Sequence, residues 1–188
     1  MVRWEPDSRG RLEQAALALY GERGFENTTV AEIAARAGLT ERTFYRYFTD
    51  KREVLFSGGG LLQEVLVTTI ATAPETASPI DAVIVALEAA GALLEERRDI
   101  ARVRQSIIAA NTELQERELI KLATLAAALA DALGRRGVPP LEAALTAEAG
   151  IAVFKVGFER WVDKSNRRSL PELIRDSLEV LKTVTASR

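Results

Sequence analysis

The chain has 188 residues with a formal net charge of −2, so it is long enough to bury a sizeable core and is not a uniformly basic nucleic-acid binder. It contains no cysteine and no histidine, which excludes disulfides, thiol redox chemistry, imidazole catalysis and the common zinc sites, and points away from an enzyme. The first ten residues are polar and charged and no apolar stretch approaches a membrane span; the expectation is a cytoplasmic protein with no signal peptide and no membrane partner.

Leu12, Ala15, Ala16, Leu19 and Tyr20 make an apolar stripe at helical spacing that stops at Gly24, with Phe25 placed to pack back on it. The next segment, Thr28 to Arg52, reads TTVAEIAARAGLTERTFYRYFTDKR. Thr29 and Glu32 form a capping box, so a helix starts near Val30. Gly38 ends it, since a residue without Cβ enters the left-handed conformation of such a stop at little cost. Thr40 caps a second helix on which Phe44 and Phe48 share a buried face, leaving Glu41, Arg42, Thr43, Tyr45, Arg46 and Tyr47 to point elsewhere. Guanidinium forks match phosphates and guanine edges, and hydroxyls bond phosphate oxygens without adding charge. Two capped helices meeting at a glycine, the second with such a face, read as a helix-turn-helix for DNA.

This segment resembles the tetracycline-repressor-like (TetR) family of bacterial transcription regulators, whose motif has a turn glycine, a short recognition helix ending in a Tyr-x-Tyr-Phe-like run, and a lysine shortly after. Here these are Gly38, Tyr45 to Phe48, and Lys51, and the match covers about Arg9 to Phe56. In an arbitrary protein Tyr-Arg-Tyr-Phe is more often a core edge with snorkelling arginines; the caps, glycine and lysine at matching offsets favour DNA. The resemblance implies phosphate contacts from Thr29, Thr43, Tyr45 and Lys51, and base-edge or mixed contacts from Glu41, Arg42, Arg46 and Tyr47, with Thr40 at the same face. Glu41 could accept from a cytosine amino group, but reads slightly better as an acid that complements the helix dipole.

Asp50 and Glu53 frame a fourth helix through Val54, Leu55 and Phe56, with a kink or interruption expected at Ser57-Gly58-Gly59-Gly60 and resumption at Leu61. The glycines do not make a phosphate loop, since no Gly-Lys-Ser/Thr follows and no strand precedes. After a loop around Pro74, helices are expected from Pro79 to about Arg97, Ile100 to about Ala110, Thr112 to about Arg136, Leu141 to Lys164 and Leu170 to Val184. The expected architecture is all-α with about nine helices: a helix-turn-helix domain over 1–56 and an effector-binding and dimerisation domain over 57–188.

The family resemblance further implies a homodimer and a ligand cavity. Apolar stripes on the last two helices are the candidate dimer interface: Ile151, Phe154, Phe158 and Trp161, then Leu173, Ile174, Leu178 and Leu181. Candidate pocket residues are Leu62, Leu66, Ile70, Ile84, Leu87, Val103, Ile107, Leu119 and Leu122, though each reads equally as packing. No metal site or cofactor is expected, and the effector should be small and mostly hydrophobic. The implied function is a dimeric, ligand-responsive regulator, a repressor by preference, on an inverted-repeat double-stranded DNA operator. The alternative is a small-molecule carrier or a protein-interaction protein that does not read DNA sequence.

Overall fold

Helix-favouring sequence runs through the whole chain, and the computed structural model, which describes residues 7–186, contains nine α-helices and no strand among those residues. They are α1 (Ser8–Arg23), α2 (Val30–Arg36), α3 (Glu41–Tyr47), α4 (Gly59–Thr72), α5 (Pro79–Glu95), α6 (Arg98–Ala109), α7 (Thr112–Arg135), α8 (Pro140–Val162) and α9 (Leu170–Ala186), with a 3₁₀ turn over Glu53–Phe56. Two compact units result. The first runs to Gly58 and also takes in Val103–Glu118; the second holds Gly59–Arg102 and the residues from Leu119 onward. Residues 103–118, which the sequence reading places in the second domain, therefore pack in the first unit. Of the two expected domains, residues 1–6 and 187–188 lie outside the described residues.

In the first unit the expected stripe of α1 is buried together with Phe25, Ile33, Phe44, Phe48 and the 3₁₀ turn. Ile107, Ile108 and Leu114, from the end of α6 and the start of α7, complete this core. The α2–α3 corner forms as its sequence dictates. Gly38 sits at φ 67°, its N–H donates to Ala35 O at 3.0 Å, and Leu39 N–H donates to Ala34 O at 2.8 Å, the two bonds of a Schellman stop. Arg11 of α1 reaches across to the Ala37 carbonyl. Thr29 and Glu32 make the full capping box, and Thr40 Oγ1 accepts from Thr43 N–H at 3.2 Å.

Lys51 takes a place that its family role does not foretell. Its ammonium donates to the carbonyls of Phe25 at 2.8 Å and Thr28 at 2.9 Å, reaches Glu26 O at 3.4 Å, and stands 4.3 Å from the Phe25 ring centroid. Tyr20 Oη donates to the Lys51 carbonyl at 2.6 Å. Burial pushes the Tyr20 phenol far above its usual range, and the Asp50 charge adds to this. Lys51 is thus a lock on the α1–α2 loop: the ammonium expected to meet a phosphate is directed here to backbone carbonyls of the unit that carries α3.

A second lock joins the 3₁₀ turn to residues 103–118. Arg52 pairs with Asp50 and Glu113, Arg117 pairs with Glu53, and Arg104 donates to Leu55 O at 2.6 Å while pairing with Glu118 at 3.0 Å. The Arg104 guanidinium also lies over the Phe56 ring. Its burial pulls the guanidinium below its usual range, which Glu118 partly offsets.

The chain between the units is interrupted as expected. The 3₁₀ turn ends at Phe56 and α4 begins at Gly59, two residues earlier than the expected Leu61. Residues 53–72 contain an 18-residue window with a mean hydropathy of 1.5, which by length and composition alone would pass for a membrane span. The structure breaks that stretch at Ser57–Gly58. Val54, Leu55 and Phe56 enter the first core, whereas Leu66 and Ile70 enter the second.

In the second unit α5 lies against α4, α8 and α9. Gly150 of α8 lets that helix approach α5 closely, since a Cβ there would meet Val83 Cγ1 at 2.5 Å. The α7–α8 turn closes on Gly137 at φ 87°, with Val138 N–H donating to Leu133 O at 3.2 Å. Arg136 then donates to the carbonyls of Ile70, Ala73 and Pro74, fixing the end of α4.

Two expected outcomes follow from these contacts. Lys51→Met leaves three carbonyls without their charged donor and should destabilise the protein by about 1.5–3 kcal/mol in urea unfolding followed by circular dichroism. A midpoint equal to that of the unchanged protein would show that the lock carries no stability. Gly59 and Gly60 have no atom within 4 Å of an added Cβ and no left-handed backbone, so changing both to alanine should raise stability by roughly 0.5–1 kcal/mol each. A lower melting temperature would mean that these glycines fill a packing role after all.

Candidate nucleic-acid interface and effector site

α3 has seven residues, and its two faces divide cleanly. Phe44 is fully buried and Phe48, the residue that ends the helix, nearly so, with ring centroids 5.3 Å apart. On the opposite side Tyr45 is 56% and Tyr47 39% exposed, beside exposed Glu41, Arg42 and Arg46. Arg46 lies 4.9 Å from the Tyr47 ring centroid and donates to its hydroxyl at 3.0 Å. The pair is ordered before any ligand arrives, while the Tyr47 O–H proton stays available to an acceptor. The Thr40 and Thr43 hydroxyls lie 3.0 Å apart at the start of the helix. Thr29 stands at the start of α2, its hydroxyl donating to Glu32 at 2.9 Å, and its amide and hydroxyl hold the Glu32 carboxyl below the usual carboxylate range. The structure therefore brings Thr40, Glu41, Arg42, Thr43, Tyr45, Arg46 and Tyr47 together on one short helix, with Thr29 on its neighbour and Lys51 turned to the α1–α2 loop.

Charge at this face is set by which cations are already paired. Arg36 forks onto Glu22 at 2.6 and 2.7 Å, Arg23 pairs with Glu32 at 2.9 Å, and Arg52 with Asp50 and Glu113. Arg42 has no hydrogen bond or ion pair among the described residues, and Arg46 engages only Tyr47. The uncommitted positive charge of α3 is thus Arg42 and Arg46. Such a surface offers two forks and four hydroxyl-bearing side chains to a polyanion, and no group of acidic residues that could hold a metal ion occurs among the described residues.

Within the second unit Leu62, Leu66, Leu87, Ala90, Leu125, Ile151 and Phe154 surround a narrow apolar void closed to water. Of the expected pocket residues, Leu62, Leu66 and Leu87 are there. Ile70 and Ile84 are buried in the surrounding core, and Leu122 packs on it half-buried. The other three lie elsewhere: Ile107 is buried in the first unit's core, and Val103 and Leu119 are exposed. Ala90, Leu125, Ile151 and Phe154 were missed as lining, since an apolar stripe does not state which cavity it faces.

The residues expected at a dimer interface lie mostly inward in the single chain. Ile151, Phe154, Trp161, Leu173, Ile174 and Leu178 are buried within the second unit's own core, with Phe158 and Leu181 packed half-buried against it. The outward sides of α8 and α9 carry other apolar residues, Leu141, Leu145 and Val156, and Val180 and Val184.

Residues 13–57 match the model of the bacterial regulatory proteins of the tetR family, and residues 77–186, more than half of the chain, match the MftR C-terminal domain. The HTH-type transcriptional regulator TcmR of Streptomyces glaucescens is 32% identical over 75 residues, covering 40% of this chain and 33% of that protein. The HTH-type transcriptional repressor KstR2 of Mycobacterium tuberculosis is 40% identical over 47 residues, 25% of this chain and 24% of that protein. The chain thus aligns with a third or less of the length of these curated relatives. The fatty acid degradation regulator FadR of Bacillus halodurans shares the fold with a TM-score of 0.65 at 20% identity, covering 99% of this chain and 100% of that one. FadR of Bacillus subtilis, solved with stearoyl-CoA, gives 0.64 at 22% identity, covering 92% and 96%. With its helix-turn-helix in the first unit and the second family model spanning most of the rest, the chain belongs to the tetR family of bacterial regulatory proteins.

Proposed function

We propose that this protein is a dimeric transcriptional repressor, working in the cytoplasm, that holds an inverted-repeat DNA operator through α3 and lets it go when a small, mostly hydrophobic effector binds the second unit. The observation that carries this reading is the division of α3: Phe44 and Phe48 anchor it inward, and Arg42, Tyr45, Arg46 and Tyr47 stand outward with no competing acid partner. A helix so presented fits the major groove, where Arg42 reaches base edges and the tyrosine hydroxyls bond phosphates. Two copies related by a two-fold axis would set two such helices about 34 Å apart or a multiple of it, which is why the operator should be a palindrome.

The effector reading is supported by the apolar, mostly aliphatic lining of the void and the absence of any charged side chain among its residues. Regulation is then a population shift: a ligand that favours a second-unit conformation unsuited to DNA needs a coupling of only about 1–3 kcal/mol to act as a switch. α6 and α7 each supply residues to both units, so the helical backbone itself links the two. The dimer reading is supported by α8, whose inward stripe is spent on the core while Leu141, Leu145 and Val156 recur outward, an apolar side that a second copy would cover.

Mobility shift with DNA flanking the gene tests the main reading, since a repressor retains selected fragments against excess nonspecific competitor. Tyr45→Phe should weaken all DNA by a similar factor, whereas Arg42→Ala should relax discrimination at one base position, at a cost of about 1–3 kcal/mol on the preferred sequence. Wild-type binding by both variants would remove α3 from the interface. Leu145, 63% exposed, gives the assembly test: Leu145→Arg should leave the fold intact and produce monomers in sedimentation, and an unchanged dimer would place the interface elsewhere.

A further inference from the structure

Among the described residues Trp161 is the largest side chain with no exposure, yet its indole N–H has no acceptor there. Buried donors are nearly always paired, so an orphan of this kind asks for a partner that is not part of the chain. Trp161 stands on the same side of α8 as Ile151, Phe154 and Phe158, at steps of three and four residues. Rings connect it to the void: Phe154 and Phe158 lie 5.8 Å apart between centroids, and Phe158 and Trp161 5.5 Å. Ile151 and Phe154 line the void itself.

Charge at the far end of this stripe comes from Arg98. Its guanidinium carbon lies 5.5 Å from the Trp161 ring centroid. Nε and Nη2 donate to the Trp161 carbonyl at 3.2 and 2.7 Å, and Nη2 also reaches Asn166 O at 3.1 Å. Those bonds hold the group in place but leave Nη1 without an acceptor and the positive charge without a carboxylate among the described residues. An apolar stretch ending at a fixed N–H donor and an unneutralised guanidinium describes one ligand chemistry, a hydrocarbon tail with an anionic oxygen head.

We propose that Trp161 and Arg98 form the polar end of an effector site whose apolar end is the void beside Phe154, and that its ligand class is the aliphatic carboxylate. This rests on the reading of the second unit as effector-binding and names the chemistry of that effector. The void widens to admit the tail, and the head accepts from the indole N–H next to the Arg98 charge.

Isothermal titration of the full chain with dodecanoate, methyl dodecanoate and dodecylamine, three probes with one tail, tests the assignment. Dodecanoate should bind best, and Trp161→Phe, which keeps the ring packing and removes the donor, should weaken it about tenfold while leaving dodecylamine unaffected. The indole N–H resonance lost in Trp161→Phe should move downfield when dodecanoate is added to the unchanged protein. Arg98→Lys keeps the charge and should bind better than Arg98→Gln, with thermal melting of each showing that the unit stays folded. Equal binding of dodecylamine and dodecanoate, or an indole resonance that does not move, would overturn the site, and methyl dodecanoate binding as tightly as the free acid would remove Arg98 from the head group. Operator release is a separate measurement: dodecanoate that binds with the expected Trp161 dependence yet leaves DNA bound upholds the site and defeats its role as effector site.

Discussion

A helix of seven residues does not hold itself together in water, because the cost of its first turn is recovered only over a much longer run. α3 therefore exists only as far as Phe44 and Phe48 are buried, and the rest of the first unit can be understood as what makes that burial possible. α1 supplies Leu12, Leu19 and Tyr20, α2 supplies Ile33, and the corner of α6 and α7 closes the core with Ile107, Ile108 and Leu114. Once the two phenylalanines fix the rotation of the helix, the 100° step of the backbone decides that Arg42, Tyr45 and Arg46 face out. Recognition chemistry is left over from a packing requirement.

The same unit sorts its cations into two kinds. Lys51, Arg11, Arg52, Arg104 and Arg117 are structural: each is committed to backbone carbonyls or to a carboxylate that ties one segment to another. Arg42 and Arg46 are left for an external polyanion. Arg42, which has no partner among the described residues, keeps its side-chain entropy until it meets one, whereas Arg46 is already held on the Tyr47 ring and hydroxyl. Counting basic residues along the motif overstates the charge that the face presents, because two of the four between Leu39 and Arg52 are already spent.

The second unit shows a different economy, since α8 is apolar on more than one side. A helix with hydrophobic residues all round is stable only when covered all round. Its inner stripe, from Ile151 to Trp161, meets α5 and α9, with Gly150 allowing the close approach to Val83. The outer residues Leu141, Leu145 and Val156 stay exposed among the described residues. One helix thus both builds the cavity wall and leaves a side on which a second copy can pack, so the two proposed properties of this unit share a single element.

How much of this was legible before folding depends on range. The caps of Thr29 and Thr40, the stop at Gly38 and the inward pair Phe44 and Phe48 are decided within four or five residues, where backbone hydrogen bonding and the helical period leave few alternatives, and the sequence by itself determined them. It likewise determined the order and nearly the bounds of the helices and the break at Ser57–Gly58, because glycine weakens a helix wherever it stands. Only the tertiary structure decided that Lys51 locks a loop 23 to 26 residues away, that Glu113 and Arg117 answer Arg52 and Glu53, and that Ile107 belongs to the first core while Ile151 and Phe154 line a void in the second. The physical reason is common to all of them: an apolar stripe or a charge states that it needs a partner, but which partner it meets depends on how helices distant in sequence come to lie side by side.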